Sequence, residues 1–464
     1  MEQLLVQRFK AIRNEAGIPI PVKPVNVFMG EQASGKSTLA KLIYFFKTLG
    51  FELNQSLISI AQRPLPEDEI EDGIEVLFEN ALTNHFATLF GSIRHFDDFF
   101  IEYQSPTHQK IILQKSDDRL KIDLKSLNNP SLSELEAELN SSRQHISPKY
   151  PVNDKGSGKF IALMGFTDSV KETLSKWGLK NDIVLIPDNR GIVVALSNSM
   201  KDFYASIKHN IDFSIPVDRS NEYIFYNFIQ YNDDLVRAYK FEGGFEGLRL
   251  NKEFLSGKPL SEELKLLLDV IEKRTYRVLK GEYSASKDVE RIRIRDNQFV
   301  DLQNASSGQQ AVIRLFQDLY SASLSEKPAC RIYEEPESHL FPTSQKALME
   351  AIACFISANP GNQIILPTHS PYTLLAIDNL IQAGEMAAEY PKLSDAITEK
   401  AGLEPPARLR FDQVGAWFLK DGEFISALSE ERKGIIADYV DQIAEEMEET
   451  YTEILALGFD YANL

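Results

Sequence analysis

Residues 30–38 read Gly-Glu-Gln-Ala-Ser-Gly-Lys-Ser-Thr, directly after an apolar run, Pro24-Val-Asn-Val-Phe-Met29. The string satisfies G-x-x-x-x-G-K-[ST], a pattern that demands a strand, a tight anion-cradling loop and a helix in that order. The glycines let the backbone approach an anion closely, and the helix that follows, Thr38-Leu-Ala-Lys-Leu-Ile-Tyr-Phe-Phe46, points its positive end at the same charge. In such a loop the backbone N–H groups surround a β-phosphate, Lys36 reaches the β and γ oxygens, and the Ser37 hydroxyl sits on Mg²⁺. Gly30, Ala33, Ser34, Gly35 and Thr38 are therefore expected against a nucleotide triphosphate together with Lys36 and Ser37. The plainer alternative is a Gly/Ser turn joining strand to helix.

Length and charge bound the rest. A chain of 464 residues suggests two or three lobes. No run approaches the roughly 18 apolar residues of a membrane helix, and the first ten residues do not read as a signal peptide. The two cysteines, Cys330 and Cys354, form no disulfide framework, so a cytoplasmic setting is expected. A net charge of −18 argues against a surface coated with nucleic acid, because phosphate neutralisation needs Lys and Arg, although a local basic groove stays open. Much of the acidity lies in Glu430–Glu449, expected as a helix with Ile436, Val440, Ile443, Met447, Tyr451 and Leu455 on one stripe. Such a helix is either a solvated face with its stripe packed inward or a docking element for a partner.

Along the chain, Leu4–Phe9 and Val25–Met29 read as paired strands, and Phe99–Tyr103, Lys110–Gln114 and Leu120–Leu124 alternate like sheet. A short amphipathic helix (Leu132, Leu135, Leu139) leads into a Ser/Pro/Gly-rich loop, Ser141–Gly158. Residues 159–285 read mainly helical, broken by Asp182-Ile-Val-Leu-Ile-Pro187. Arg291–Arg295 and Gln298–Leu302 form a hairpin turning at Asp296-Asn297, with alternating arginines that suit either phosphates or an exposed polar face. A last hairpin turns at Asp421-Gly422.

Three further motifs bear on the same phosphate. Ala305-Ser-Ser-Gly-Gln-Gln310 opens an amphipathic helix and presents free N–H donors to an anion, though a Ser-Gly helix start is common. Ala329–Tyr333 reads as a strand ending in Glu334-Glu335-Pro336-Glu337. Adjacent carboxylates at a strand end suit two tasks, one holding Mg²⁺ or its water and the other deprotonating an attacking water. Gln363–Leu366 is a short strand followed by Pro367-Thr-His-Ser-Pro-Tyr372, which brings His369 toward a γ-phosphate if this strand neighbours the carboxylate strand.

Phosphate loop, Ser-Gly signature, carboxylate strand and switch histidine, in that order, resemble an ABC-type ATPase of the SMC/RecF/OLD branch, prokaryotic ATPases of DNA repair and phage defence. The resemblance covers about 1–125 and 280–425. It implies an α/β fold, an ABC-type ATPase head with a mixed β-sheet lobe plus a P-loop α/β core and a mainly helical insertion. The implied divisions are 1–125 (first half of the head), 126–285 (insertion), 286–425 (second half) and 426–464 (acidic amphipathic helix). Carried over by position, it makes Lys36 and Ser37 the phosphate and Mg²⁺ contacts, Ser307, Gly308 and Gln309 the signature, Glu335 the catalytic base and His369 the switch residue. Glu334 stands where the family usually has Asp, and Gln309 where transporters have a second Gly. Leu185-Ile-Pro-Asp-Asn-Arg190 resembles a Pro-and-Arg segment of defence members, which makes Arg190 a candidate nucleotide contact. The family geometry further implies that the signature of one copy completes the ATP site of another, in a head-to-tail dimer around two nucleotides.

Two functions follow from the resemblance. One is an ATP- and Mg²⁺-dependent ATPase that dimerises on ATP and acts as sensor or scaffold for a separate effector, such as a nuclease, in anti-phage defence. OLD-type relatives carry a Toprim nuclease with Asp-x-Asp, and the residues after His369 contain no Asp-x-Asp, so the effector is expected to be another protein. The other is a RecF-like repair ATPase that binds DNA directly. A transporter motor subunit has no membrane-coupling feature to support it.

Overall fold

The computed structural model describes residues 1–62, 74–116, 119–123, 157–178, 182–196, 220–295, 298–436 and 448–455, with positions 137 and 445. The expected helix around Leu132–Leu139, nearly all of the Ser141–Gly158 loop, the Asp296-Asn297 turn, and the stripe positions Val440, Ile443 and Met447 lie outside the described residues.

Val25–Gly30 (β3) is apolar on both faces, as a strand buried on both sides must be. It lies inside a six-stranded sheet with Asp182–Ile186 (β7), Ala329–Tyr333 (β11), Gln363–Thr368 (β12), Val414–Lys420 (β13) and Glu423–Ser426 (β14), in the order β14-β13-β3-β12-β11-β7. β13, β3, β12, β11 and β7 are mutually parallel, and β14 closes one edge antiparallel through the Asp421-Gly422 turn. Alternate side chains divide between two cores. Val25, Val27, Ile364, Leu366, Ala329 and Tyr333 enter one, with the helices Glu262–Leu279, Ser307–Ser325 and Pro342–Ala358. Phe28, Ile365, Cys330 and Ile332 enter the other, with the phosphate-loop helix Lys36–Gln62 and its neighbour Ile74–Phe90.

The second core also covers one face of an antiparallel sheet, ordered β2-β1-β4-β5-β6: Gln3–Gln7 (β1), Ile20–Pro21 (β2), Phe100–Gln104 (β4), Lys110–Ser116 (β5) and Arg119–Asp123 (β6). β1 and β3 were expected to pair, and they do not: β1 pairs with β2 and β4. Its burial alternates, as a half-covered antiparallel strand requires, whereas β3 is buried throughout. Glu282–Ala285 (β8), Glu290–Arg295 (β9) and Gln298–Asp301 (β10) form a third sheet. There Arg291 pairs with Asp301 and Arg293 with Glu282, so these two arginines of the row are ion-paired on an exposed face.

The architecture is the expected class, an α/β core beside a β-sheet lobe with a mainly helical intervening region. That region is not set apart, however, because its β7 is the far strand of the core sheet and its helix Ser157–Lys176 packs on the phosphate-loop helix. The end of the chain also departs from expectation. The helix expected over 426–464 begins instead as a ribbon, Leu428–Ser429 (β15) against Gly434–Ile435 (β16). Asp378 Oδ1 accepts the Ile435 N–H at 2.8 Å and holds the ribbon on the Pro371–Glu389 helix. Residues 448–455 are helical and exposed.

A buried charge network ties β11 to the Ser307–Ser325 helix. Arg331 Nε donates to both Asp318 oxygens at 2.9 Å, the Tyr333 hydroxyl donates to Asp318 Oδ2 at 2.5 Å, and the Tyr231 hydroxyl donates to Oδ1. Removing one partner strands an uncompensated buried charge, so Asp318→Ala is expected to cost about 3–5 kcal/mol in denaturant unfolding. An unchanged midpoint and slope would refute the role given to this network.

Candidate nucleotide site

Because five parallel strands run the same way, their carboxyl ends meet at one edge of the sheet, where open α/β sheets bind ligands. The phosphate loop leaves β3 there. Ala33 (φ 61°) and Gly35 (φ 105°) adopt left-handed backbone that turns successive N–H groups inward. At Gly30 any side chain would collide with the Leu419 carbonyl, 2.3 Å from an added Cβ, so the strand can pass only as glycine. Lys36 Nζ bridges the loop mouth, donating to the carbonyls of Gly30 at 2.9 Å and Glu31 at 2.7 Å, with Ser34 Oγ at 3.4 Å. Burial pushes the ammonium pKa down, against the pull of Glu335 and Glu337. Ser37 is exposed and Thr38 half-buried at the start of the helix.

β11 neighbours β12, as the spacing of the two motifs predicts. The turn after β11 is held by both adjacent strands: the Glu334 N–H donates to the Ile186 carbonyl and the Glu335 N–H to the Pro367 carbonyl, each at 3.0 Å. Glu335 sits at φ 43°, a left-handed conformation that costs a non-glycine residue about 1–2 kcal/mol. Its Oε1 lies 3.3 Å from His369 Nε2, and its Oε2 accepts from Ser338 Oγ at 3.4 Å. Glu334, Glu335, Lys36, Ser37, Asp188 and Pro367 border a cleft of about 250 Å³. Burial pushes the Glu334 carboxyl up to about 7; Lys41 opposes the shift, while Asp188 and Glu335 add to it.

Glu337, for which the sequence suggests no separate role, fixes the histidine turn. Its Oε1 accepts from Thr368 Oγ1 at 2.5 Å, the His369 N–H at 2.9 Å and the Ser370 N–H at 3.1 Å. The local signal was weak, because a third glutamate in an acidic turn reads as surface.

Two expected nucleotide contacts lie elsewhere. Arg190 is 0% exposed. It donates to the carbonyls of Ala311, Pro187, Asp188, Glu334, Glu335 and Pro336, leaving no N–H for a ligand. Burial pushes its pKa down to about 10, with Glu337, Asp188 and Glu335 acting the other way. Gln309 spends its side-chain oxygen on its own helix start. Its Oε1 accepts from the Ser306 N–H and hydroxyl, completing a capping box, and its Nε2 donates to the Leu279 carbonyl at 2.6 Å. Ser307 is exposed at the first turn of its helix, and Gly308 is closed in by the His339 carbonyl, 2.6 Å from an added Cβ. Neither borders the phosphate-loop cleft.

The donor set fits a magnesium triphosphate: an amide-lined loop with a lysine at its mouth, a hydroxyl at the helix start, and paired carboxylates across the cleft. Residues 1–374 match the family described as the AAA ATPase domain. The chain belongs to that family. No curated protein sequence matches it. Among solved structures, this AAA ATPase-domain chain is similar to the Smc head domain of Pyrococcus furiosus bound to the C-terminal domain of ScpA, at 12% identity, covering 96% of this chain and 99% of that one, TM-score 0.37. It is similar to the SMC head domain of Thermotoga maritima, at 12% identity over 92% and 98% of the two chains, TM-score 0.35. It is also similar to the recombination mediator protein RecF, at 10% identity over 92% and 98%, TM-score 0.31.

The Glu334 shift has a testable sign. A carboxyl whose folded pKa exceeds its unfolded value binds its proton more tightly when folded, so its contribution to stability is present below pH 4.5 and is lost as pH rises toward 7. Without nucleotide or divalent ions, Glu334→Gln should therefore flatten the fall in unfolding free energy between those values. Parallel pH profiles for variant and parent would contradict this.

Proposed function

We propose that the chain binds ATP with Mg²⁺, hydrolyses it, and closes into a head-to-tail dimer of the ABC type. The observation that carries this is the placement of two half-sites. Lys36, Glu334, Glu335 and His369 gather at the carboxyl edge of the sheet, while the exposed Ser307 end of its helix stands outside that cleft. An exposed helix start, whose dipole places positive charge at its first turn, suits the γ-phosphate held by a second copy.

In this reading Lys36 and the loop amides bind the phosphates, and Ser37 and Glu334 hold the metal, which supplies charge neutralisation. Glu335 takes the proton of the attacking water. His369, 3.3 Å from that carboxylate, orients it and faces the terminal phosphate. The AAA ATPase-domain match over residues 1–374 supports the nucleotide chemistry. The sequence resemblance supports a finer role, a cytoplasmic sensor or scaffold whose ATP-bound dimer governs a separate effector, a nuclease, in anti-phage defence. Direct DNA binding is the less favoured role, because the row Arg291 and Arg293 is already paired with acids and the net charge is −18.

Lys36→Ala is expected to abolish ATP binding. Glu335→Gln should keep binding, lose roughly 10²–10⁴-fold in hydrolysis and accumulate a dimer with ATP on size-exclusion chromatography. Ser307→Arg should bind ATP and stay monomeric. A Glu335→Gln protein that hydrolyses normally would refute the base assignment, and a Ser307→Arg protein that still dimerises would refute the interface.

The effector role is tested in cells challenged with phage. Protection is expected to need Lys36, Glu335 and a nuclease supplied by a separate chain. Protection by the ATPase alone, or strongly salt-dependent DNA affinity in the purified protein, would favour the direct DNA-binding role instead.

A further inference from the structure

We propose that Arg190 is the positioning residue of the hydrolytic site, locking the Glu335 turn to the signature-bearing helix so that base and signature shift as one body. This rests on the site reading above. One planar guanidinium reaches three separate pieces of backbone. Nε donates to the Ala311 carbonyl at 2.9 Å, one helical turn beyond Ser307. Nη1 donates to Glu334 at 3.0 Å and to Pro187 at 3.2 Å, and Nη2 to Glu335 and Pro336 at 3.1 Å each.

The grip falls where the backbone is strained. Glu335 is held by its own N–H on the Pro367 carbonyl and by its carbonyl on Arg190, so both sides of the left-handed residue are pinned. The direction in which its carboxylate leaves the turn is set by that pinning. On the opposite side, Gly191 lies flush with Ala311; a Cβ there would rest 3.7 Å from the Ala311 Cβ. A displacement of the signature helix along its axis therefore carries Ala311, then Arg190, then the carbonyls of the carboxylate turn.

Arg190 is unlike the other deeply buried arginines near it, which sit on carboxylates: Arg314 on Glu290 and Arg331 on Asp318. Its six hydrogen-bond acceptors are carbonyls alone, an arrangement that holds geometry and leaves the positive charge unneutralised by contact. A lysine has one nitrogen and three donors, and it cannot span three segments.

The test compares wild type, Arg190→Lys, Ala311→Val and Glu335→Gln for ATPγS affinity, kcat and cooperative thermal unfolding. Ala311→Val leaves the guanidinium intact while its added methyls overpack the buried face of the signature helix, since Ala311 is 1% exposed. Arg190→Lys is expected to keep ATPγS affinity within about threefold while kcat falls on the order of 100-fold, the cost of misplacing a reacting group by about 1 Å. Ala311→Val should lower kcat with affinity likewise retained. Should Arg190→Lys fail to fold, Ala311→Val decides alone. Retention of kcat within threefold in a folded variant, or parallel loss of affinity and kcat, would overturn the proposal. If Glu335→Gln itself hydrolyses normally, the site reading fails first, and the two failures are thereby told apart.

Discussion

The parallel register of β3, β12, β11 and β7 is the constraint on which the rest of the molecule depends. Parallel strands send their carboxyl ends to the same edge, so the loop at 30–38 arrives beside an acidic turn at 334–337 and a histidine turn at 367–372. Each arrival is then tied to its neighbour by backbone: Glu334 to Ile186 of β7, Glu335 to Pro367 of β12. Burial on both faces fixes this register, because a slip of one residue in β3 would exchange Val25 and Val27 with Phe28 between two cores of different shape.

Much of the site was legible in the sequence because its chemistry leaves little choice of residue. A phosphate loop needs glycines where side chains collide and a lysine at its mouth, and Gly30 and Lys36 satisfy both requirements in three dimensions. The carboxylate and histidine strands could be set next to each other from spacing alone, and they are neighbours. What stayed illegible depends on tertiary partners. Arg190 reads as a ligand contact until β7 is seen to join the far edge of the sheet, which turns the following arginine beneath the Glu335 turn. Gln309 reads as part of an anion site, and in the fold its side-chain oxygen caps its own helix start while its amide donates to the Leu279 carbonyl, a second task that no local pattern announces.

The same cause explains two errors of element. β1 and β3 are close in sequence and both apolar, but alternating burial assigns one to a half-covered sheet and continuous burial assigns the other to a fully covered one. Leu428–Ile435 sits beside a strongly helical acidic pattern, and a single carboxylate, Asp378, captures the Ile435 N–H and draws the segment into a ribbon. Local propensity is a small energy that one well-placed tertiary hydrogen bond can outweigh.

Buried charge is used here in two distinct ways. Where Arg331 meets Asp318 the charges cancel in contact, and the pair acts as a fastener between strand and helix. Where Arg190 meets only carbonyls, the dipoles solvate the cation without neutralising it, so its field persists toward Glu334 and Glu335 just above. That field opposes the burial and mutual repulsion that make ionisation of Glu334 costly. Two adjacent carboxylates at the border of one cleft repel each other, and an arginine seated among carbonyls supplies a nearby positive charge without occupying that cleft.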